Sequence, residues 1–391
     1  MSLPLDGIRV IELGTMIAVP AATYQLAQFG AEVIKVEDVV TGDQLRVYGS
    51  NKNGMSAWYA NANHGKRSVA LDLKSDAGRD LLWRLIHSAD VFIEGFRDGV
   101  VDALGFGYSA VADRRPDIIY CSSSGFGNTG PYAGQPAYDP LIQAIAGWAV
   151  LQGGADQPSL VRNMIADKVS AHANAESIMA ALIRRLRTGE GAHIENSMLE
   201  SNAQYIWSDG MMHCSLLDDD VTHLPNMLSL YRLYPCRDGH VSLAIGTDGQ
   251  WRGFCEALEQ PELAEDDRFA TARARGPRLE EMFEIIARTT ALFDRETVVE
   301  RLRAAEVPVA PVNSPDAVVD DPQVVATDMI EEIEHPVAGR MLRPRSPVHR
   351  MGESLDLPPA PTHGQHTDEV LAELGLDGAA IAALREAGAI R

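Results

Sequence analysis

In the first third of the chain, short apolar runs rich in β-branched residues alternate with stretches whose apolar positions recur at helical spacing. Residues 8–13, 31–36, 68–73, 91–96 and 118–123 are short, β-branched-rich runs of strand length and read as buried strands. Residues 20–29, 76–87 and 100–104 carry helical spacing between them. This alternation predicts a doubly wound parallel sheet, in which ligands sit beyond the carboxyl ends of the strands. Residues 14–19, 37–38, Lys74 and 95–97 then share one rim. A long Ala-rich run from Val169 to Leu186 predicts a helix, and Thr188-Gly189 is its stop.

The texture changes from about Pro225. Residues 231–245 read as two strands around an Asp238-Gly239 turn, followed by helical patterns at 251–258, 279–293 and 297–305. Gln260-Pro261 breaks the series, and prolines fix an extended segment over 307–312. The expected fold is α/β: a Rossmann-like large domain over 1–199, a linker over 200–226, a smaller α+β domain over 227–315, a second linker over 316–345, and a C-terminal segment over 346–391. At 391 residues the chain is too long for one typical core, which agrees with two domains.

Composition narrows the function. With 34 Lys and Arg against 55 Asp and Glu, the net charge of −21 repels nucleic acid. No apolar run reaches the ~18 residues of a membrane span, and the N-terminus lacks the basic and apolar regions of a signal peptide, so a cytoplasmic protein is expected. The four cysteines have neither Cys-x-x-Cys nor metal-finger spacing, which points to reduced, buried thiols and no metal site. After the first strand the chain reads Gly14-Thr-Met-Ile-Ala-Val, without the dinucleotide fingerprint, and this disfavours NAD. One carboxylate stands out. Asp167, in Val161-Arg-Asn-Met-Ile-Ala-Asp-Lys, falls at or just before the start of the long helix, where the helix dipole and unpaired N–H groups would hold it ionised.

A series of ordered motifs carries a resemblance. They run Pro4-Leu-Asp-Gly-Ile-Arg-Val-Ile-Glu-Leu, Gly30-Ala-Glu-Val-Ile-Lys-Val-Glu37, Gly65-Lys-Arg-Ser-Val-Ala-Leu-Asp-Leu-Lys74, Ser124-Gly-Phe-Gly-Asn-Thr-Gly-Pro-Tyr132, Tyr138-Asp-Pro-Leu-Ile-Gln-Ala144, Arg187-Thr-Gly-Glu-Gly191 and Gly364-Gln-His-Thr-Asp-Glu-Val-Leu371. Together, from Leu5 to the C-terminus, they resemble the class III CoA-transferases, the group of formyl-CoA and carnitine CoA-transferases. The resemblance implies an interlocked homodimer whose C-terminal segment returns to the large domain. It implies acyl-CoA and carboxylic acid substrates, with coenzyme A carried as thioester and no metal. It also implies that Asp167 is the catalytic nucleophile, forming an aspartyl-CoA thioester by way of mixed anhydrides.

Coenzyme A contacts implied by the same resemblance are Met16, Ile17 and Ala18 after the first strand, Leu71 and Lys74 at the adenosine end, Phe96 and Arg97, Tyr138 near the thioester, and Met198 on the far wall. Some positions depart from the family pattern. Ile17 stands where oxalate-using members place a Gln, and Asp38 and Ala103 stand where they place arginines, so phosphate binding leans on Lys74 and Arg97 and an acceptor unlike oxalate is expected. The run of four glycines that forms their mobile loop is absent, and 244–249 lies near the equivalent region. Two alternatives stay open. One is α-methylacyl-CoA racemase chemistry, which needs a His and an Asp base, although Ala137-Tyr138-Asp139 replaces that group's Gly-His-Asp. The other is an acyl-CoA-binding protein without catalysis. His172, five residues beyond Asp167, falls off its helical face.

Overall fold

The computed structural model describes residues 3–222, 227–352 and 355–391. The chain forms two compact units, Met1–Leu216 with Ile330–Arg391, and Leu217–Met329. The first is built on six strands: β1 Arg9–Leu13, β2 Glu32–Asp38, β3 Lys66–Leu71, β4 Val91–Glu94, β5 Ile119–Ser124 and β6 Ala192–Ser197. All neighbours pair in parallel, in the order β3-β2-β1-β4-β5-β6. Winding proceeds outward from β1 in both directions, so β1 and β4 flank the switch point where such sheets open a crevice.

Side-chain alternation along the strands fills two layers. Ile11, Leu13, Ile34, Val36 and Leu71 pack with Leu82 and Leu85 of a helix over Asp76–His87, and with Val370, Leu371, Ile381 and Ile390 near the C-terminus. Val10, Val33, Val91, Ile93 and Ile119 pack on the opposite face. Their partners are Ala22 and Leu26 of α1 (Ala18–Gln28) and Ala171, Ala175 and Ile178 of the long helix Ile165–Thr188. The C-terminal segment is thus part of the first unit's core, and Asp72 N–H donates to the Ala389 carbonyl at 2.9 Å.

The second unit has a three-stranded antiparallel sheet of Leu233–Cys236, Gly239–Leu243 and Val309–Pro311, with Gly239–Leu243 in the centre. Its core gathers Trp251, Phe254, Phe269, Phe283, Val298 and Leu302. Residues 244–249 form a helix entry: Thr247 Oγ accepts from Gln250 N–H, and the Gln250 side chain returns a bond to the Thr247 backbone.

The observed elements correct several expectations. β6 was not foreseen, because Ala-His-Ile-Glu-Asn-Ser has no apolar run and lies at the sheet edge. Residues 200–210, expected in a linker, are the body of a helix over Met198–Gly210, and Ile206 is buried. The last part of that linker, 223–226, lies outside the described residues. The second expected linker contains an antiparallel pair, Ile330–His335 with Gly339–Pro344. Among the described residues, no helix is long and apolar enough to cross a membrane.

Candidate active site

Asp167 is the third residue of the long helix Ile165–Thr188, hereafter α2, whose Ala-rich sequence and left-handed Gly189 (φ 73°) define its body and end. Met164, at the N-cap, supplies no side-chain acceptor. The Asp167 N–H, unpaired within the helix, is instead met from outside: it donates to Asp139 Oδ2 at 3.0 Å. Asp139 is 6% exposed, at the start of a helix over Asp139–Ala146, and its other oxygen accepts from Gln143 Nε2 at 2.5 Å. Gln143 also donates to the Val161 and Asn163 carbonyls, each at 3.1 Å, and accepts from Val161 N–H at 2.9 Å, clamping the approach to Asp167.

This arrangement reverses the expected electrostatics. A helix N-terminus alone favours an ionised carboxylate. Burial and the neighbouring Asp139 charge together raise the Asp167 pKa to about 7. Asp139 is the participant that local sequence does not reveal. It lies 28 positions upstream, and only the unfilled cap at Met164 hints that an outside acceptor is required.

Asp167 lines a cavity of about 400 Å³ at the carboxyl ends of β1, β4 and β5. Of the expected contacts, Met16, Ala18, Phe96, Arg97, Tyr138 and Met198 share this cavity. Leu71 and Lys74 line a second, of about 450 Å³, between the ends of β1, β2 and β3. Thr15 and Phe96 border both, so the two make one extended trough across the switch point. The backbone there is tight: a Cβ on Gly14 or Gly95 would stand 2.5 or 2.7 Å from Val19 side-chain atoms. Asp38 and Ala103 border the second cavity, where Asp38 is occupied by the N–H groups of Val40 and Thr41.

Ile17 is the exception. It lines neither cavity but is 5% exposed and packs inward with Leu45, Met55 and Tyr59. At the N-cap of α1, its side chain follows the interior while Met16 and Ala18 flank the opening. His172 is exposed on α2.

A carboxylate of raised basicity at one end of an extended trough, with exposed Arg97 and Lys74 along it, suits nucleophilic attack on a long anionic thioester. Comparison with known proteins points to the same substrate class. Residues 5–367 match the profile of CoA-transferase family III. The chain belongs to CoA-transferase family III. It is 35% identical over 383 residues to a succinate–glutarate CoA-transferase of Agrobacterium fabrum, covering 95% of this chain and 96% of that one. It is 31% identical over 411 residues to a formyl-CoA:oxalate CoA-transferase of Streptomyces coelicolor, at 99% coverage of both. Among solved structures, a CaiB/BaiF family protein from Brucella suis superposes with a TM-score of 0.85 at 32% identity, covering 96% of this chain and 100% of that one. This family III CoA-transferase therefore acts on CoA thioesters, and the trough beside Asp167 is its candidate active site.

Proposed function

We propose that this enzyme moves CoA from a dicarboxylic acyl-CoA of the succinyl-CoA kind to a second short carboxylic acid through a covalent Asp167–CoA thioester. The observation that carries this reading is the position of Asp167, a carboxylate of raised pKa facing the trough. Ionised Asp167 attacks the thioester carbonyl, the C–S bond breaks, and a mixed anhydride and CoA thiolate result. The thiolate then attacks the Asp167 carbonyl, releasing the donor acid as its carboxylate and leaving aspartyl-CoA. The acceptor carboxylate repeats both steps in reverse, and no net proton is consumed. A nucleophile near pKa 7 lies closer to a thiol's ordinary ~8.5 than an unperturbed carboxylate does, so thiolate expulsion is less uphill. Relatives named for succinate, glutarate and mesaconate support the substrate class.

In this reading Lys74 and Leu71 take the adenosine and phosphate end, Arg97 and Phe96 the middle, and Met16, Ala18, Tyr138 and Met198 the thioester end. The chain acts as an interlocked homodimer in the cytoplasm. Leu141, Ile145, Tyr205 and Trp207, all at least 44% exposed on neighbouring helices, support an apolar partner contact. Four free cysteines suit a reducing compartment. The test is transfer from succinyl-CoA to glutarate, read as glutaryl-CoA. Asp167→Ala should lose transfer while still binding CoA, and retention of a tenth or more of the wild-type rate overturns the covalent role.

A further inference from the structure

The loop between β1 and α1 carries an unusual backbone. Met16 sits at φ 65°, in the left-handed region that a side chain with a Cβ adopts only at a cost. The same loop borders both halves of the trough, through Thr15, Met16 and Ala18. Two of its backbone groups are held from behind by buried charges. Lys35 Nζ donates to the Gly14 carbonyl at 2.8 Å, and Met16 N–H donates to Asp43 Oδ1 at 3.2 Å.

Those two side chains belong to a closed ionic lattice. Lys35, 0% exposed, bonds Glu12 Oε1 at 2.6 Å and pairs with Asp43 Oδ2 at 2.9 Å. Glu12 is shared with Lys66 at 2.8 Å, and Lys66 also donates to the Pro20 carbonyl in the first turn of α1 at 2.7 Å. The Asp43 N–H donates to Glu37 Oε2 at 2.9 Å, and Arg46 holds Glu37 at 2.7 and 2.8 Å. Three carboxylates and three cations therefore balance behind the loop. Burying ion pairs this deeply is rarely a gain over apolar packing, which raises the question of what the lattice does. Its contacts go to the Gly14 carbonyl, the Met16 N–H and the Pro20 carbonyl, so it meets the loop and its helix entry at three points.

We propose that Asp43, held by Lys35, is a positioning residue for CoA-thioester binding: it locks Met16 in the left-handed conformation that shapes the trough. Without the Asp43 acceptor, Met16 relaxes to a right-handed or extended backbone, and the wall beside Asp167 no longer fits the thioester. The inference rests on the trough being the CoA-thioester site. If that reading fails, Arg97→Ala and Lys74→Ala, which change the trough directly, leave the acyl-CoA KM as it is in wild type. If only the positioning role fails, wild-type binding is intact and the Asp43 variants bind as it does.

The test is steady-state kinetics with succinyl-CoA on Asp43→Leu and Asp43→Asn, each made with Met16 and with Met16→Gly. Releasing one strained residue predicts an acyl-CoA KM raised about tenfold in Asp43→Leu, with kcat within about twofold. Asp43→Asn keeps an oxygen for the Met16 N–H, so its KM should rise less than about threefold. Glycine takes φ 65° without strain, so in the Met16→Gly background the Asp43→Leu effect should shrink below about threefold. A merely structural role predicts the same KM rise in both backgrounds, or a fall in kcat with KM unchanged, and either overturns the proposal. Should Asp43→Leu not fold, Met16→Gly against Met16→Ala decides. The Gly variant must be the more stable of the two, and equal or lower stability overturns the proposal.

Discussion

Replacing Asp167 by Asn should stabilise the fold in a pH-dependent way while removing activity. The Asp167 pKa rises from 3.8 to about 7 because burial and the Asp139 charge penalise ionisation in the folded state. The sign follows directly. Between these two values the unfolded chain has released a proton that the folded chain keeps, so each unit of pH weakens folding. Below 3.8 there is no penalty, and above about 7 it is complete. At ~1.36 kcal/mol per unit the full penalty is about 4 kcal/mol, and its growth between pH 5 and pH 8 is about 2.5 kcal/mol. Asn has nothing to ionise, so its stability relative to wild type should climb by roughly that amount over this interval, whatever its own packing costs. Urea unfolding of both proteins at pH 5 and pH 8, at one protein concentration, measures the difference. A relative stability that is the same at both pH values, or that falls at pH 8, refutes the electrostatic reading of the site.

Three further outcomes follow from the same structure. Asp139→Asn removes the like charge but keeps an oxygen for the Asp167 N–H, so the acidic limb of the kcat/KM profile should move from about pH 7 to lower pH; an unmoved limb assigns the shift to burial alone. With Ala137-Tyr138 in place of the racemase Gly-His, one epimer of a 2-methylacyl-CoA in deuterium oxide should gain no α-deuterium above background, and rapid exchange with loss of stereochemical purity would contradict a transferase. If the subunits interlock as proposed, they cannot part without unfolding, so mass photometry at nanomolar concentration should find only particles near twice the 42.4 kDa chain mass, and a folded population at 42.4 kDa would overturn the interlocked arrangement.

The large unit was legible because its first five strands are mostly buried and carry short runs rich in Val, Ile and Leu, and because α2 ends in a plain Thr-Gly stop. β6 escaped notice because a half-exposed edge strand carries no such run. The pair Ile330–His335 and Gly339–Pro344 was hidden for a related reason: alternating Glu and Arg pair across it, as in Glu332 with Arg340 and Glu331 with Arg343, and this polar pattern read as a linker. At the site, the place of Asp167 at the start of the long helix was legible and its raised pKa was not. Burial raises it first and Asp139 second, and both come from folding: Asp139 is a neighbour in space and not in sequence. Ile17, expected among the contacts, lines neither cavity, and one backbone angle accounts for this. Met16 at φ 65° turns the chain so that its neighbour points into the interior. The lattice of Glu12, Lys35, Asp43 and Lys66 joins side chains from three strands and a loop, and no periodicity marks it.

The covalent role of Asp167 is tested most directly by mass spectrometry of the enzyme mixed with succinyl-CoA and quenched with hydroxylamine. An aspartyl-CoA thioester predicts a hydroxamate on the peptide containing Asp167, formed only after exposure to the acyl-CoA and absent from Asp167→Ala. Turnover of succinyl-CoA with acceptor while the Asp167 peptide stays unmodified, or a hydroxamate at a different carboxylate, would contradict the account.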